Sequence, residues 1–315
     1  MASCAKSGVV YEPENEIRLV PKTVPATKAE YKGAVASTDY PTTENFDVIG
    51  YWSGDWSGNQ FVKYIVAEDG SGAEFTCQGN YWTGKVSYHW PKDGSLKFAC
   101  YSPASENIIH NYPTDTYSKV GYVQSSNTAE TSDLLLAATT GAYTAETAMT
   151  TNVPVAFDHA LSWITIQVKS DVAKMYEIKK ITIKDVCTKA NFEVKMGDGI
   201  QYEEWEKQSD KADIVIFDGS QVVEQAEKAI ETNPQGTIII PQTTTKAVIE
   251  YTQLAIEGGT AELPDQTIEL DLTLKAVKYW EPGKHYTYTV SFKPAEIRIQ
   301  PKVNAWGKVD VEKVL

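Results

Sequence analysis

Every second residue from Tyr286 to Phe292 is aromatic or β-branched: Tyr286, Tyr288, Val290 and Phe292, separated by Thr, Thr and Ser. A period of two places those four side chains on one face of a strand, and such groups suit a half-buried pleated surface. After a Pro-containing break, Ile297 and Ile299, and further on Val303 and Trp306, continue the pattern nearly to Leu315. A strand laid down so late in the chain is expected to offer a free strand terminus to a neighbour, and strand addition at a sheet edge is a general way of joining subunits.

The same short-period signal recurs throughout. Strands are predicted at 16–20, 46–51, 61–67, 74–77, 85–90, 96–101 and 133–138. After a polar, Thr- and Ala-rich break around 139–151, others are predicted at 153–157, 163–168, 178–186, 192–194, 213–217, 237–240, 247–255 and 267–276, then 285–292 and 297–303. Turn pairs such as Ser57-Gly58, Asp69-Gly70, Asp93-Gly94, Asp218-Gly219 and Pro282-Gly283 punctuate them. Short strands at this spacing predict an all-β fold of two tandem antiparallel β-sandwich domains, 1–147 and 148–315. One helix is predicted, Gln221–Ile230, inserted in the second domain on the spacing of Val222, Val223, Ala226 and Ile230. Between Val9 and Phe46, one alternating segment puts Ile17 and Leu19 on one face, and Pro21, Pro25 and Pro41 follow among Thr, Ala and Lys. The plain description of 9–45 is a strand followed by a long, protease-accessible tether.

The formal charge of −13 over 315 residues argues against nucleic acid, because nothing replaces the counterions on phosphates. It argues equally against docking on anionic lipid. No apolar run approaches the ~20 residues that span a bilayer. Met1-Ala-Ser-Cys4 has the form left when the basic and apolar parts of a bacterial lipoprotein signal are removed. Cys4 is then either a lipid attachment point or an isolated thiol near a terminus. Cys77, Cys100 and Cys187 lack CxxC spacing and a nearby His, so no zinc site is predicted. A Cys77–Cys100 bridge stays open, with Cys100 otherwise a small buried hydrophobe.

No phosphate loop, nucleophile elbow or HExxH motif is present, and no cofactor is implied. Asp158 and His159 are adjacent on a predicted strand, so they face opposite sides and form no dyad with each other; His159 reads as structural. Glu203, Glu204 and Asp213 offer carboxylates without any means of placing two across a scissile bond. Tyr51, Trp52, Trp56, Tyr81, Trp82, Tyr88 and Trp90 concentrate aromatics in the first half. Most suit a core, where rings bury the largest area. Trp56, in Gly54-Asp-Trp-Ser-Gly58, is the ring expected to be exposed and available to a glycan or host ligand.

Several segments, in order, resemble the fimbrillin-like proteins, subunits of the type V pili of anaerobic Gram-negative bacteria. They are Glu16-Ile-Arg-Leu19 with Ala26-Thr-Lys-Ala29, Phe46-Asp-Val-Ile-Gly-Tyr51, Leu96-Lys-Phe-Ala-Cys-Tyr-Ser-Pro103 and Asp133-Leu-Leu-Leu-Ala137. Val153-Pro-Val-Ala-Phe-Asp-His-Ala-Leu161 and the closing strands complete the series. The resemblance implies two transthyretin-like sandwiches, export as a lipoprotein and assembly outside the outer membrane into a surface fimbrium. It also implies processing by a trypsin-like protease, which cuts the tether, releases the first strand with its anchors Ile17 and Leu19, and lets another pilin subunit's strand fill the groove. Lys28 takes the place of the scissile residue. An Arg is usual in the family at that place, so an arginine-specific protease would spare this tether, whereas a lysine-tolerant one could also use Lys22 or Lys32. Beyond Trp306, Val309, Val311 and Val314 alternate only in part, which leaves stalk, tip and accessory roles open.

Two function classes follow. One is a structural pilus subunit that polymerises by strand exchange and supports adhesion. The other is a monomeric surface lipoprotein or tip adhesin that binds glycan or host ligand through exposed aromatics. An enzyme is not expected.

Overall fold

A computed structural model of the chain describes residues 15–23, 40–53, 62–104, 118–126, 131–139, 141–150, 152–171, 173–195, 201–223, 230–231, 236–255, 263–273, 277–292 and 297–305. Among them, the first half forms β1 (Leu19–Thr23), β2 (Phe46–Trp52), β3 (Val62–Ile65), β4 (Ala73–Cys77), β5 (Trp82–Gly84), β6 (Leu96–Ser102), β7 (Ser118–Val123) and β8 (Leu135–Ala138). A short helix, α1 (Ala145–Thr150), and β9 (Val153–His159) follow. The remainder is β10 (Ser162–Ser170), β11 (Met175–Lys195), β12 (Gln201–Val223), β13 (Ile230–Glu231), β14 (Thr237–Ile239) and β15 (Gln242–Thr243). It closes with β16 (Lys246–Leu254), β17 (Gln266–Asp271), β18 (Tyr279–Trp280), β19 (Lys284–Phe292) and β20 (Ile297–Ala305).

The fold is the all-β sandwich class that the alternation predicts. Its first sheet runs β3-β2-β4-β5-β1-β9-β8-β6, and a further β2–β6 pairing closes it into a ring. Phe46, Val48, Phe75, Trp82, Phe98 and Phe157 fill the interior, alternate residues of their strands pointing inward. The second half packs the sheet β13-β10-β19-β20 against β12-β11-β16-β17, with Tyr286, Tyr288, Val290 and Phe292 buried between them. Most pairings are antiparallel; β1 with β9 and β10 with β19 are parallel.

Sheet membership does not divide at residue 147. β9 lies in the ring, and β7 from the first half pairs with the far end of β11. A third buried cluster joins the two halves: Ile49, Tyr51, Tyr101 and Leu136 on the outside of the ring meet Tyr122, Ala190 and Trp205.

The described ends of the predicted helix are strand instead. Gln221–Val223 are the last residues of β12, with Val223 opposite Tyr176, and Ile230 pairs with Val168 in β13; residues 224–229 lie outside the described ones. The reason is that a short apolar run has no decisive period, and β-branched residues beside a partner strand go extended. The observed helix instead occupies the polar break. There Thr144 Oγ1 accepts from Thr147 N–H at 3.3 Å, and Thr147 Oγ1 accepts from Thr144 N–H at 2.9 Å, a reciprocal cap. Likewise, 178–186 and 192–194 are parts of one 21-residue strand, β11, continued through bulges where Asp185 adopts φ 55°.

Candidate functional site

β1 forms part of the ring wall between β5 and β9, and its two sides are held unequally. Toward β9 the strands run parallel in register from Leu19 opposite Val153 to Thr23 opposite Phe157. Val153 N–H donates to the Arg18 carbonyl at 3.1 Å. Toward β5, Leu19 opposite Trp82 is the only residue pair in register among the described residues. The residues just before β1 are held by an irregular segment instead. Ile17 N–H donates to Tyr88 C=O at 2.9 Å, Trp90 N–H donates to Asn15 C=O at 3.1 Å, and Glu16 bridges to His89.

That segment, 85–90, is not the strand its sequence predicts. β5 stops at Gly84 because the chain doubles back there: a side chain at Gly84 would stand 2.4 Å from the carbonyl oxygen of Val86, so only glycine fits the close approach.

Ile17 and Leu19 are fully buried in the ring core, and Pro21 is buried two residues on. The even-numbered residue between the first two points outward: the Arg18 guanidinium lies 4.8 Å from the centre of the Tyr81 ring, with Glu16 3.9 Å away. Ile17, Leu19 and Pro21 are thus buried while Arg18 between them points outward, the alternation of an ordinary sheet strand.

The residue that sequence reading missed is Tyr40. It re-enters the ring at the far end of the segment that follows β1 and is buried. Its ring stacks on Phe157 at 5.1 Å and meets Trp82 edge-on at 5.7 Å and Phe46 at 5.4 Å. Its hydroxyl donates to Asn45 C=O at 3.0 Å and shares a 2.7 Å hydrogen bond with Ser102 Oγ. Trp82 Nε1–H donates to Glu44 C=O at 3.0 Å, fixing the same stretch. An isolated Tyr before Pro41 carries no period, so nothing local marked it as core.

The other candidates are distributed as follows. Cys4, Lys28, Trp56 and Trp306 lie outside the described residues. Tyr286, Tyr288, Val290 and Phe292 are buried in β19, far along the chain from β1. Ile297 opposes Phe292 in the edge strand β20, Ile299 is half-buried against the second core, and Val303 is exposed. The structure thus brings Ile17 and Leu19 together with Trp82 and Phe157, and keeps the C-terminal series apart from them. Of the first-half aromatics, Tyr51, Trp82 and Trp90 are buried. Trp52 and Tyr88 are half-buried, with Trp52 Nε1–H donating to Asp93 C=O and the Tyr88 hydroxyl to Val66 C=O.

His159 turns away from Asp158 and pairs with buried Asp133, Nδ1 to Oδ2 2.6 Å, tying β9 to the residues before β8. Burial raises the Asp158 carboxyl above its usual range, and His159 partly offsets the effect. The thiols of Cys77, Cys100 and Cys187 are unbridged. Burial drives the Cys100 thiol well up, so it stays protonated and inert. Among the described residues no cluster of His, Cys, Asp or Glu is placed to hold a metal, and no helix is long and apolar enough to cross a membrane.

The fold has solved counterparts. A fimbrial protein from Bacteroides vulgatus superposes with a TM-score of 0.67 at 18% identity, over 93% of this chain and 99% of its own. A putative cell adhesion protein from Bacteroides ovatus gives 0.55 at 14% identity, over 94% of this chain and 99% of its own. No curated protein matches in sequence. The family described as fimbrillin-like matches residues 32–306, a span that takes in the ring from Tyr40 to β9, the junction between the halves, and all of β20. The chain belongs to the fimbrillin-like family.

Proposed function

We propose that this chain is a structural subunit of a cell-surface pilus, exported as a lipoprotein through Cys4 and assembled when proteolysis lets a neighbour's strand replace β1. The observation that carries the reading is the seat of β1. It is a full member of a closed ring with its apolar side chains sunk in the core, yet one of its edges has a single strand pair in register.

Removing such a strand uncovers a row of unpaired backbone groups on β9 together with the slots of Ile17 and Leu19. Those two side chains contribute about 3–6 kcal/mol in buried area. An equivalent strand from another subunit recovers that amount, less the cost of ordering it. While β1 stays tethered it competes at high effective concentration, so cutting at Lys28 acts as the switch. The role is structural and adhesive rather than enzymatic.

Two measurements test it. Lysine-specific protease should turn purified monomer into an SDS-resistant ladder. The triple variant Lys22→Ala, Lys28→Ala, Lys32→Ala should stay monomeric under the same treatment. A wild-type chain that is cut after Lys28, loses residues 15–23 and still runs as a monomer would refute the assembly reading. The rival reading, a glycan bound on first-half aromatics, loses Tyr51, Trp82 and Trp90 to the core, which leaves it Trp56 and the half-buried Trp52, Tyr81 and Tyr88.

A further inference from the structure

Alternate positions of β1 fall in three rows of backbone register across the ring wall. In the first, Leu19 stands beside Trp82 and Val153; in the second, Pro21 stands beside Val155; in the third, Thr23 stands beside Phe157. Only the first row includes a β5 residue: β5 begins at Trp82, so none stands beside Pro21 or Thr23. Tyr40 touches both Trp82 and Phe157; it therefore bridges the first and third rows, over the second. The aromatic ring is buried over the row that holds Pro21, and two hydrogen bonds of its hydroxyl fix it there. Tyr40 belongs to the segment after β1, so it remains when β1 departs.

We propose that Tyr40 is the specificity-determining residue of the β1 groove. It covers the Pro21 slot and limits any replacing strand to a small residue two places after its second branched aliphatic. This deepens the strand-replacement reading and rests on it. The required pattern, branched aliphatic, any, branched aliphatic, any, small, is that of Ile17-Arg-Leu-Val-Pro21. It recurs in β20 as Ile297-Arg-Ile-Gln-Pro301, and Lys follows the Pro in both places, Lys22 and Lys302. The two strands have different neighbours, since β1 lies parallel to β9 whereas β20 lies antiparallel to β19. Shared position in a duplicated fold therefore does not account for the shared hexapeptide. A segment of a second copy with the β20 sequence meets the size limit that Tyr40 sets.

The size limit is tested within the intact chain, with no exchange involved. Pro21→Phe should lower Tm, Tyr40→Ala should lower Tm by opening a cavity, and the double variant should recover at least part of both losses. The departure from additivity is expected at roughly 2–4 °C or more. If Pro21→Phe fails to fold, Pro21→Leu applies a smaller bump in the same cycle. Strictly additive losses would overturn the assignment of Tyr40 to this slot.

The second arm uses chain cut by the lysine-specific protease, stripped of β1, and fluorescent peptides copying residues 15–23 and 297–305. Both should bind, and versions with Phe in place of Pro21 or Pro301 should bind roughly tenfold weaker or worse. Tyr40→Ala should erase that difference. Equal binding of the Pro and Phe peptides by the wild type overturns the size limit. Absence of binding by any peptide, with the in-chain cycle intact, overturns strand replacement and leaves the packing role of Tyr40 standing.

Discussion

Asp47 is the residue at which charge and packing collide. It lies on the outer face of β2, opposite Glu74 on one side and Tyr101 on the other. Burial pushes its carboxyl up to about 7; Tyr101 partly offsets this by hydrogen bonding, while Glu74 and Asp69 add to it. Gly72 makes the crowding possible: a side chain there would stand 2.8 Å from Asp47 Cβ. The sign follows from linkage. Below about 4 the group is protonated in both folded and unfolded chains. Between about 4 and 7 the unfolded chain ionises first, so stability falls as pH rises, and above about 7 the whole loss is present. Asp47→Asn should therefore raise stability at pH 8 by about 1–2 kcal/mol after allowing for solvent at the site. The gain should vanish toward pH 4, as read by thermal unfolding at both pH values. Sequence showed an acidic residue on a strand and gave no hint of its burial, because the neighbours that bury it come from β4 and β6.

At the scale of elements, the first strand of each half lies parallel to a late strand of that half, β1 to β9 and β10 to β19. Parallel partners need a long crossover, so neither contact was visible in local patterning, whereas the strands themselves were. Element lengths were the weak point. The sequence predicts a break between Val186 and Phe192, yet β11 runs through because bulges absorb the irregularities. For β1 the consequence is measurable. Leu19→Ala removes a fully buried side chain from the ring wall and should cost about 2–5 kcal/mol in the intact chain, seen as a drop in denaturant midpoint. The same substitution in a β1 peptide should weaken its capture by cut protein. Exposed Val86, in the irregular segment nearby, should tolerate Ala with a change under about 0.5 kcal/mol.

Across the whole molecule, the ring and the second sandwich share a core. Trp205, near the start of β12, meets Tyr122 edge-on at 6.1 Å, and both belong to the cluster that holds Ile49, Tyr51 and Tyr101 from the outside of the ring. Two-faced burial explains why β2 is covered at six successive positions. Calorimetry of the wild type should show one cooperative transition. Trp205→Ala, at a cost of about 3–5 kcal/mol, should separate it into two, with the second sandwich and the ring melting apart. A single, merely shifted transition would show that the junction does not set the cooperativity.

Local chemistry alone settled that this chain builds strands, where most of them lie, and that Ile17 and Leu19 share one face, because a two-residue period depends only on neighbours along the chain. Closure of the first sheet into a ring, the unequal grip on β1, the entry of Tyr40 and the buried Asp133–His159 pair were decided by tertiary contacts. Each of them joins residues whose separation in sequence carries no periodic trace, so only the folded chain could bring them together.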